Sequence, residues 1–393
     1  MTIYADPAVR PRRAPIDEDY DEYDQPSSPK HRDPLWAKLC LILGSIVMVV
    51  SGGLVVVPKI VGAWATGDIS KENLLPPELV APSIEGPINI LLLGMDQRKN
   101  STHLILTDTI MIAHIPASHD AVYLVSIPRD SKVEIPRFDE TDFRGGTDKI
   151  NAAFAVGNRT RNDSGAWVAD PSTAGRQRGV KLVAQTINGL VPGGMTFNAV
   201  AIINFEGFNA ILTAIGGVRL CLDEEIGSIH FDKNNKYHTV ELPPNRRKIY
   251  PKGCQDLTGA EALDVSRQRK SVTGGDYGRQ NNQQKLLMAI FAKLTTKGVA
   301  GDIGKLTELQ KVAGDLLTMD LGPNSIESWV YTLRAIRGDS IVPIRTNGGT
   351  FSPDGDPDTS FEVLSPASIE LLQHVRDDKV FDFLSSHPTW IGK

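Results

Sequence analysis

Short apolar runs, each closed by a polar or glycine turn, mark the middle of the chain. Ile88 to Leu93, Thr109 to Ile115 and Ala121 to Ile127 are too short to cross a membrane and match strand length. The first is apolar throughout, as in a strand buried on both faces, and Gly94 stops it. A loop over Glu134 to Gly146 should then lead into a helix from Thr147, with Ile150, Ala153 and Phe154 on one face. Arg159 to Gly175 reads as polar and irregular. A helical pattern over Val180 to Leu190 ends at Pro192-Gly193-Gly194, and Phe197 to Ile203 reads as a strand. Phe205 to Ile215 has helical spacing, stops at Gly216-Gly217, and precedes a short strand, Val218 to Leu222. That β-α-β order predicts a parallel pair with a right-handed crossover. Thr258, with Glu261 at the capping-box position, should start a helix through Ala262 to Arg269. After a Gly274-Gly275 break the next helix runs from about Tyr277 to Lys297, with Leu286, Leu287, Ile290, Phe291 and Leu294 on its apolar side. Further helices are predicted at Ile303 to Leu317, Ser325 to Ile336 and Ala367 to Val375, and a strand at Ser340 to Ile344. The expected class is α/β: one α/β/α-type domain over 87–393, its central mixed sheet flanked by helices.

The first 86 residues follow another pattern. Residues 1–34 are rich in proline and charge, carry the acidic block Asp17 to Asp24, and read as a disordered tail. Leu39 to Val57 has no charged residue and is long enough for a bilayer core of roughly 30 Å, so 35–58 is predicted to be a transmembrane helix. A buried helix or a cleavable signal are the alternatives. Arg10, Arg12, Arg13, Lys30, Arg32 and Lys38 precede the run, which leaves the N-terminus cytoplasmic and the remaining chain outside the cell membrane. Residues 59–86, broken by Pro76-Pro77 and Pro82, are expected to be an extracellular stalk. An oxidising exterior favours a disulfide between Cys221 and Cys254, closing the polar excursion from Asp223 to Gly253; two buried thiols are the alternative. The net charge of −5 argues against a general nucleic-acid binder, so any anion site must be local.

Charge is concentrated at the ends of the apolar runs. Asp96-Gln97-Arg98 follows the first, Asp108 heads the second and Arg129 follows the third. Open α/β sheets place ligands at such strand ends. Two carboxylates near arginines suit Mg²⁺ and an anionic substrate, although ordinary surface ion pairs would look the same. A second cluster comprises Ser266-Arg267-Gln268-Arg269, Gly275-Asp276-Tyr277-Gly278-Arg279 and Gln283. Arg267 and Arg269 can converge only if the chain leaves the helix between them. Arg279, in the first turn of a helix, opposes the helix dipole, which suits a site that receives an anion.

Taken together these segments resemble the LytR-CpsA-Psr family. The resemblance rests on Asn89 to Arg98, Thr107 to Met111, Ser126 to Asp130, Lys149 to Ala153, Gly216-Gly217-Val218, Arg267-Gln268-Arg269 and Gly275 to Arg279, in order over roughly Pro87 to Lys297. The tail, single span and exported domain are similar to the family's layout, and the cysteine pair to that of actinobacterial members. The resemblance implies a membrane-anchored phosphotransferase that moves a glycopolymer from a polyprenyl-pyrophosphate carrier to peptidoglycan and releases polyprenyl phosphate. It implies that Asp96 and Asp108 serve Mg²⁺ and that Asp96, Asp108 and Arg129 are catalytic. Arg98, Arg129, Arg267, Arg269, Arg279 and Gln283 would grip the pyrophosphate, with Asp276 nearby. Many relatives carry arginine where this chain has Leu106, which removes one phosphate contact unless Lys99 or His103 replaces it.

The lipid of such a carrier needs an apolar slot, for which Phe205, Phe208, Leu286, Leu287, Ile290 and Phe291 are the candidates; an amphipathic stripe is also how a helix buries its core face. Two other readings stay open: a polyprenyl-lipid pyrophosphatase that transfers to water, and a non-catalytic scaffold for wall polymer.

Overall fold

The computed structural model describes residues 72–95, 103–294, 317–333, 336, 338–355 and 360–392. All of them fall within one compact unit, Pro34–Lys393. The expected tail and membrane span, together with Asp96, Gln97, Arg98, Lys99 and most of the Ile303 to Leu317 helix, lie outside the described residues. Among the described residues no helix is long and apolar enough to cross a membrane.

The centre is a mixed sheet built from β1 (Ile88–Met95), β2 (Thr107–Ile115) and β3 (Val122–Ile127). The small hairpin β4 (Lys132–Ile135) and β5 (Gly146–Lys149) leads into helix α1 (Ile150–Asn158). A second hairpin, β6 (Arg159–Arg161) and β7 (Trp167–Ala169), precedes α2 (Thr173–Leu190). Next come β8 (Ala199–Asn204), α3 (Phe205–Ala214), β9 (Val218–Leu222), β10 (Ile226–Asp232), β11 (Arg247–Tyr250) and β12 (Gly253–Leu257). They are followed by α4 (Gly259–Arg267), α5 (Asp276–Leu294), β13 (Leu317–Asp320), α6 (Ile326–Leu333), β14 (Ile341–Arg345), α7 (Pro366–Arg376) and α8 (Val380–Ser386). The six-stranded sheet has the order β13-β8-β1-β2-β3-β14. β2 runs antiparallel to β1 and β3, while β8 is parallel to β1 and β14 is parallel to β3.

The period of two along the strands sorts side chains between two layers. Leu91, Leu93, Ile110, Ile112 and Val125 join a core with α1, α2, α7 and α8, whereas Ile88, Ile90, Ala113, Leu124 and Ala199 face the side of α6. A third core joins α3, α4 and α5 to the strands β9 to β12. The α/β/α layering therefore agrees with the sequence pattern.

Four local expectations are corrected. The expected stalk packs into the domain from residue 72 onward: Leu74, Leu75, Leu79 and Ile84 are buried, and the Leu74 and Leu75 amides donate to Asp320 Oδ2 at 2.6 and 2.9 Å. Its prolines punctuate an ordered strap, with Pro77–Leu79 forming one 3-10 turn. β9 does not pair with β8; it pairs antiparallel with β12, with Cys221 opposite Cys254, so the β-α-β order crosses between sheets. Thr147 to Lys149 pairs with β4, which delays the helix until Ile150. The polar stretch 159–175 holds the β6–β7 hairpin and the start of α2, where the Ser172 side chain accepts from the Gly175 amide. Three-residue strands are too short to show alternation. The Cys221–Cys254 disulfide is present and joins β9 to β12.

Candidate functional site

Antiparallel pairing brings the start of β2 beside the ends of its neighbours: Thr107 lies opposite Met95, and Ile110 opposite Ile127. Asp108 and Arg129 consequently share one edge, where Arg129 Nη1 donates to Asp108 Oδ1. The distant segment reaches the same edge. Gly274 and Gly275, at φ 77° and 58°, make a turn that side chains would strain, and α5 starts immediately after it. From its first turn Arg279, 4% exposed, donates to the Asp108 carbonyl at 2.8 Å and to Asp276 Oδ1 at 2.7 and 3.1 Å.

Arg129 and Arg269 bridge two carboxylates. Arg129 Nε lies 3.7 Å from Asp130 Oδ2 and 3.9 Å from Asp276 Oδ1, and Arg269 lies 3.7 and 3.3 Å from the same oxygens. Lys149 Nζ approaches Asp130 Oδ1 at 3.0 Å. Four cations thus face Asp108, Asp130 and Asp276, a surplus of one positive charge among these residues. Burial works against the Arg129 cation, yet Asp108, Asp130 and Asp276 outweigh it and raise its pKa. Burial likewise opposes ionisation of Asp276, but Arg279, Gln280 and Arg269 hold it below the usual carboxylate range. Arg279 is pushed down by burial despite Asp276. The cluster is charged and partly dehydrated, so an anion entering it meets little competing water.

Arg267 closes α4, and its charge acts on buried Asp264. The chain leaves the helix at Gln268, as convergence of the two arginines requires, with φ −66° and ψ 131°. Gln268, 1% exposed, donates to the Asp264 carbonyl and carboxylate at 3.0 and 2.9 Å and accepts the Ile229 amide at 3.2 Å. Gln268, Asp130 and Lys149 were not among the expected site residues, although each stands inside a quoted motif. Gln283, expected to grip the pyrophosphate, lies one helical turn after Arg279 on α5. It donates to the Ser266 carbonyl at 3.3 Å and belongs to a cavity wall.

That cavity, of about 240 Å³, lies between the sheet and α5. Its walls include Ile90, Leu92, Met111 and Ala113 from alternate strand positions, with Phe208, Leu286, Leu287, Ile290 and Phe291 opposite. Five of the six expected lipid-pocket residues therefore line it; Phe205 opens α3, and its side chain lies outside the described residues. Leu286 and Ile290 are also core residues, so the two readings of the stripe coincide. The polar lining residues Thr109, Ser266 and Gln283 each adjoin the charged cluster, through Asp108, Arg267 and Arg279. Gly94 lies at this end, where an added Cβ would meet Thr109 Cβ at 2.9 Å. Leu106 and His103 are exposed.

A polyisoprenyl-teichoic acid–peptidoglycan teichoic acid transferase, TagU of Bacillus cereus, is 30% identical over 244 residues, 62% of this chain and 64% of that protein. The chain thus spans slightly less than two thirds of that relative. TagU of Oceanobacillus iheyensis is 25% identical over 359 residues, 88% of this chain and 95% of its own. Among solved structures, the Streptococcus agalactiae protein gbs0355 superposes with a TM-score of 0.55 at 18% identity, covering 76% of this chain and 90% of its own. Bacillus subtilis TagV superposes at 0.52 with 18% identity, covering 76% and 98%. These two show the fold. Residues 64–357 match the LytR_cpsA_psr family, and the chain belongs to it.

Proposed function

We propose that this protein is a glycopolymer–peptidoglycan phosphotransferase that takes its polymer from a polyprenyl-pyrophosphate carrier and releases polyprenyl phosphate. The observation that carries the reading is the junction of an apolar cavity with a cluster of three arginines and Lys149 that exceeds its three aspartates by one charge, which matches a lipid diphosphate at both ends. Arg129, Arg269 and Arg279 would grip the phosphate oxygens as planar forks, with Arg267 and Arg98 beside them. Phosphoryl transfer is mostly positioning and charge neutralisation, which this cluster supplies.

Asp108 is a carboxylate donor of the kind Mg²⁺ takes. Asp108 has one oxygen on Arg129 and keeps 18% of its side chain exposed, and Mg²⁺ commonly takes one or two carboxylates with substrate phosphates and water. Asp108 with Asp96 would hold the ion, which when bound neutralises charge on the diphosphate. Asp108 is held by Arg129; Asp96 is assigned as the general base for the acceptor hydroxyl. Full transfer activity in Asp96→Ala would remove that role.

The charge-free run Leu39 to Val57 is assigned as a single membrane anchor, with the N-terminus cytoplasmic and the catalytic domain outside. Teichoic acid, the polymer for which the TagU relatives are named, is one candidate. Incubation with Mg²⁺ and a polyprenyl-pyrophosphate sugar separates the readings. Acceptor-dependent cleavage is expected; cleavage without acceptor would make the protein a pyrophosphatase, and no cleavage a binding scaffold.

A further inference from the structure

The family match ends at residue 357, yet the chain just beyond it enters the site. Glu362, 1% exposed, lies between Ser131 and Pro353 as a backbone bridge to each. Its amide donates to the Asp130 carbonyl at 3.0 Å, and its carbonyl accepts the Lys132 amide at 2.7 Å. Its side-chain Oε1 accepts from the Tyr277 phenol and from Asn347 Nδ2 at 3.0 Å. Tyr277, itself 1% exposed, is the residue after Asp276 in the first turn of α5. Asn347 sits in the left-handed region at φ 54°, fixed by the Ser365 amide and the Ser368 hydroxyl, which donate to its Oδ1 at 2.8 and 2.7 Å.

One buried residue therefore touches the carriers of both carboxylates that Arg129 and Arg269 bridge: Asp130 through the backbone, and Asp276 through its neighbour Tyr277. A purely apolar tie would avoid the cost of burying a carboxyl group. Burial favours the neutral acid here, only partly offset by Tyr277 and Asn347.

We propose that Glu362 is a positioning residue for the diphosphate site: by fixing Asp130 and Tyr277 relative to each other, it sets how far apart Arg129 and Arg269 stand around the ligand. The proposal rests on the diphosphate reading of the cluster. It makes the C-terminal segment, beyond the matched family stretch, part of the binding machinery.

The test compares two probes with the same apolar chain, geranylgeranyl diphosphate and geranylgeraniol, titrated into the full-length protein in detergent. The wild type should bind the diphosphate more tightly than the alcohol. Glu362→Ala and Tyr277→Phe should each weaken the diphosphate about tenfold and leave the alcohol unchanged, with Glu362→Gln, which keeps an acceptor oxygen, within about twofold of wild type. If Glu362→Ala does not fold, Tyr277→Phe, which keeps the ring packing, carries the test. Wild-type diphosphate affinity in the variants that fold, or equal losses for both probes, would overturn the positioning role. A wild type that does not distinguish the probes would overturn the diphosphate reading itself, and the proposal with it.

Discussion

Arg279 is the residue in which charge, burial and geometry meet most closely. It joins Asp108 from one end of the motif region to Asp276 from the other while only 4% exposed. Its removal leaves Asp276 buried with one partner fewer, so Arg279→Ala should destabilise the domain by about 3 kcal/mol in urea unfolding. Arg279→Lys, which lacks the planar fork, should restore little of the diphosphate affinity. Two nearby carboxyl groups have opposite pH signatures. Burial raises Glu362 above the ordinary 4.5, so its stabilising contribution is complete below that value and fades as pH rises through its folded value. Asp276 is depressed below 3.8: burial opposes its ionisation, but Arg279, Gln280 and Arg269 together outweigh it, so its contribution stands above 3.8 and is lost as pH falls through the folded value. Urea midpoints measured from pH 4 to 8 should therefore show an alkaline decline in the wild type that is missing in Glu362→Gln.

At the scale of elements, the sheet face and α5 enclose an apolar cavity with no wasted wall. Ala113 lines it, and Ala113→Phe should fill the space. Binding of geranylgeranyl diphosphate should fall sharply, with inorganic pyrophosphate binding retained, as calorimetry would show. The β9–β12 ribbon depends on its covalent clip. Replacing Cys221 and Cys254 by serine reopens a loop with a separation of 33 residues, for an expected loss of about 3 to 4 kcal/mol on loop-entropy reasoning. Intact mass should rise by about two daltons on reduction of the wild type, as the chemistry of the bond requires.

The same elements show what the sequence made legible. β1, β2, β3, α4 and α5 are legible because their apolar periods are long, although β1 continues through Gly94 to Met95 instead of stopping at the glycine; the Thr258–Glu261 box is present as expected. The β6–β7 hairpin was not, because three-residue strands have no period. The partner of β9 is not legible in the sequence, because local order cannot report that β12 returns to it from 33 residues away at the disulfide. The strap from residue 72 was misjudged because its prolines read as linker, while its leucines are anchored by Asp320, nearly 250 positions later. In the site, arginines with a family motif were identifiable. Glu362 was not, since a lone glutamate has no pattern until the fold places it against Asp130 and Tyr277.

The whole molecule combines three chemistries: an anchor assigned to Leu39–Val57, an apolar slot for the carrier's lipid, and a cationic cluster for its diphosphate. If the anchor holds, the full chain should sediment with membranes and a chain starting at residue 59 should not. The most direct measurement is a crystal structure of the protein with geranylgeranyl diphosphate. The prenyl chain should lie between Met111 and Leu287, with diphosphate oxygens within hydrogen-bond distance of Arg129, Arg269 and Arg279. Diphosphate density away from these three arginines, or a prenyl chain outside the cavity, would contradict the account.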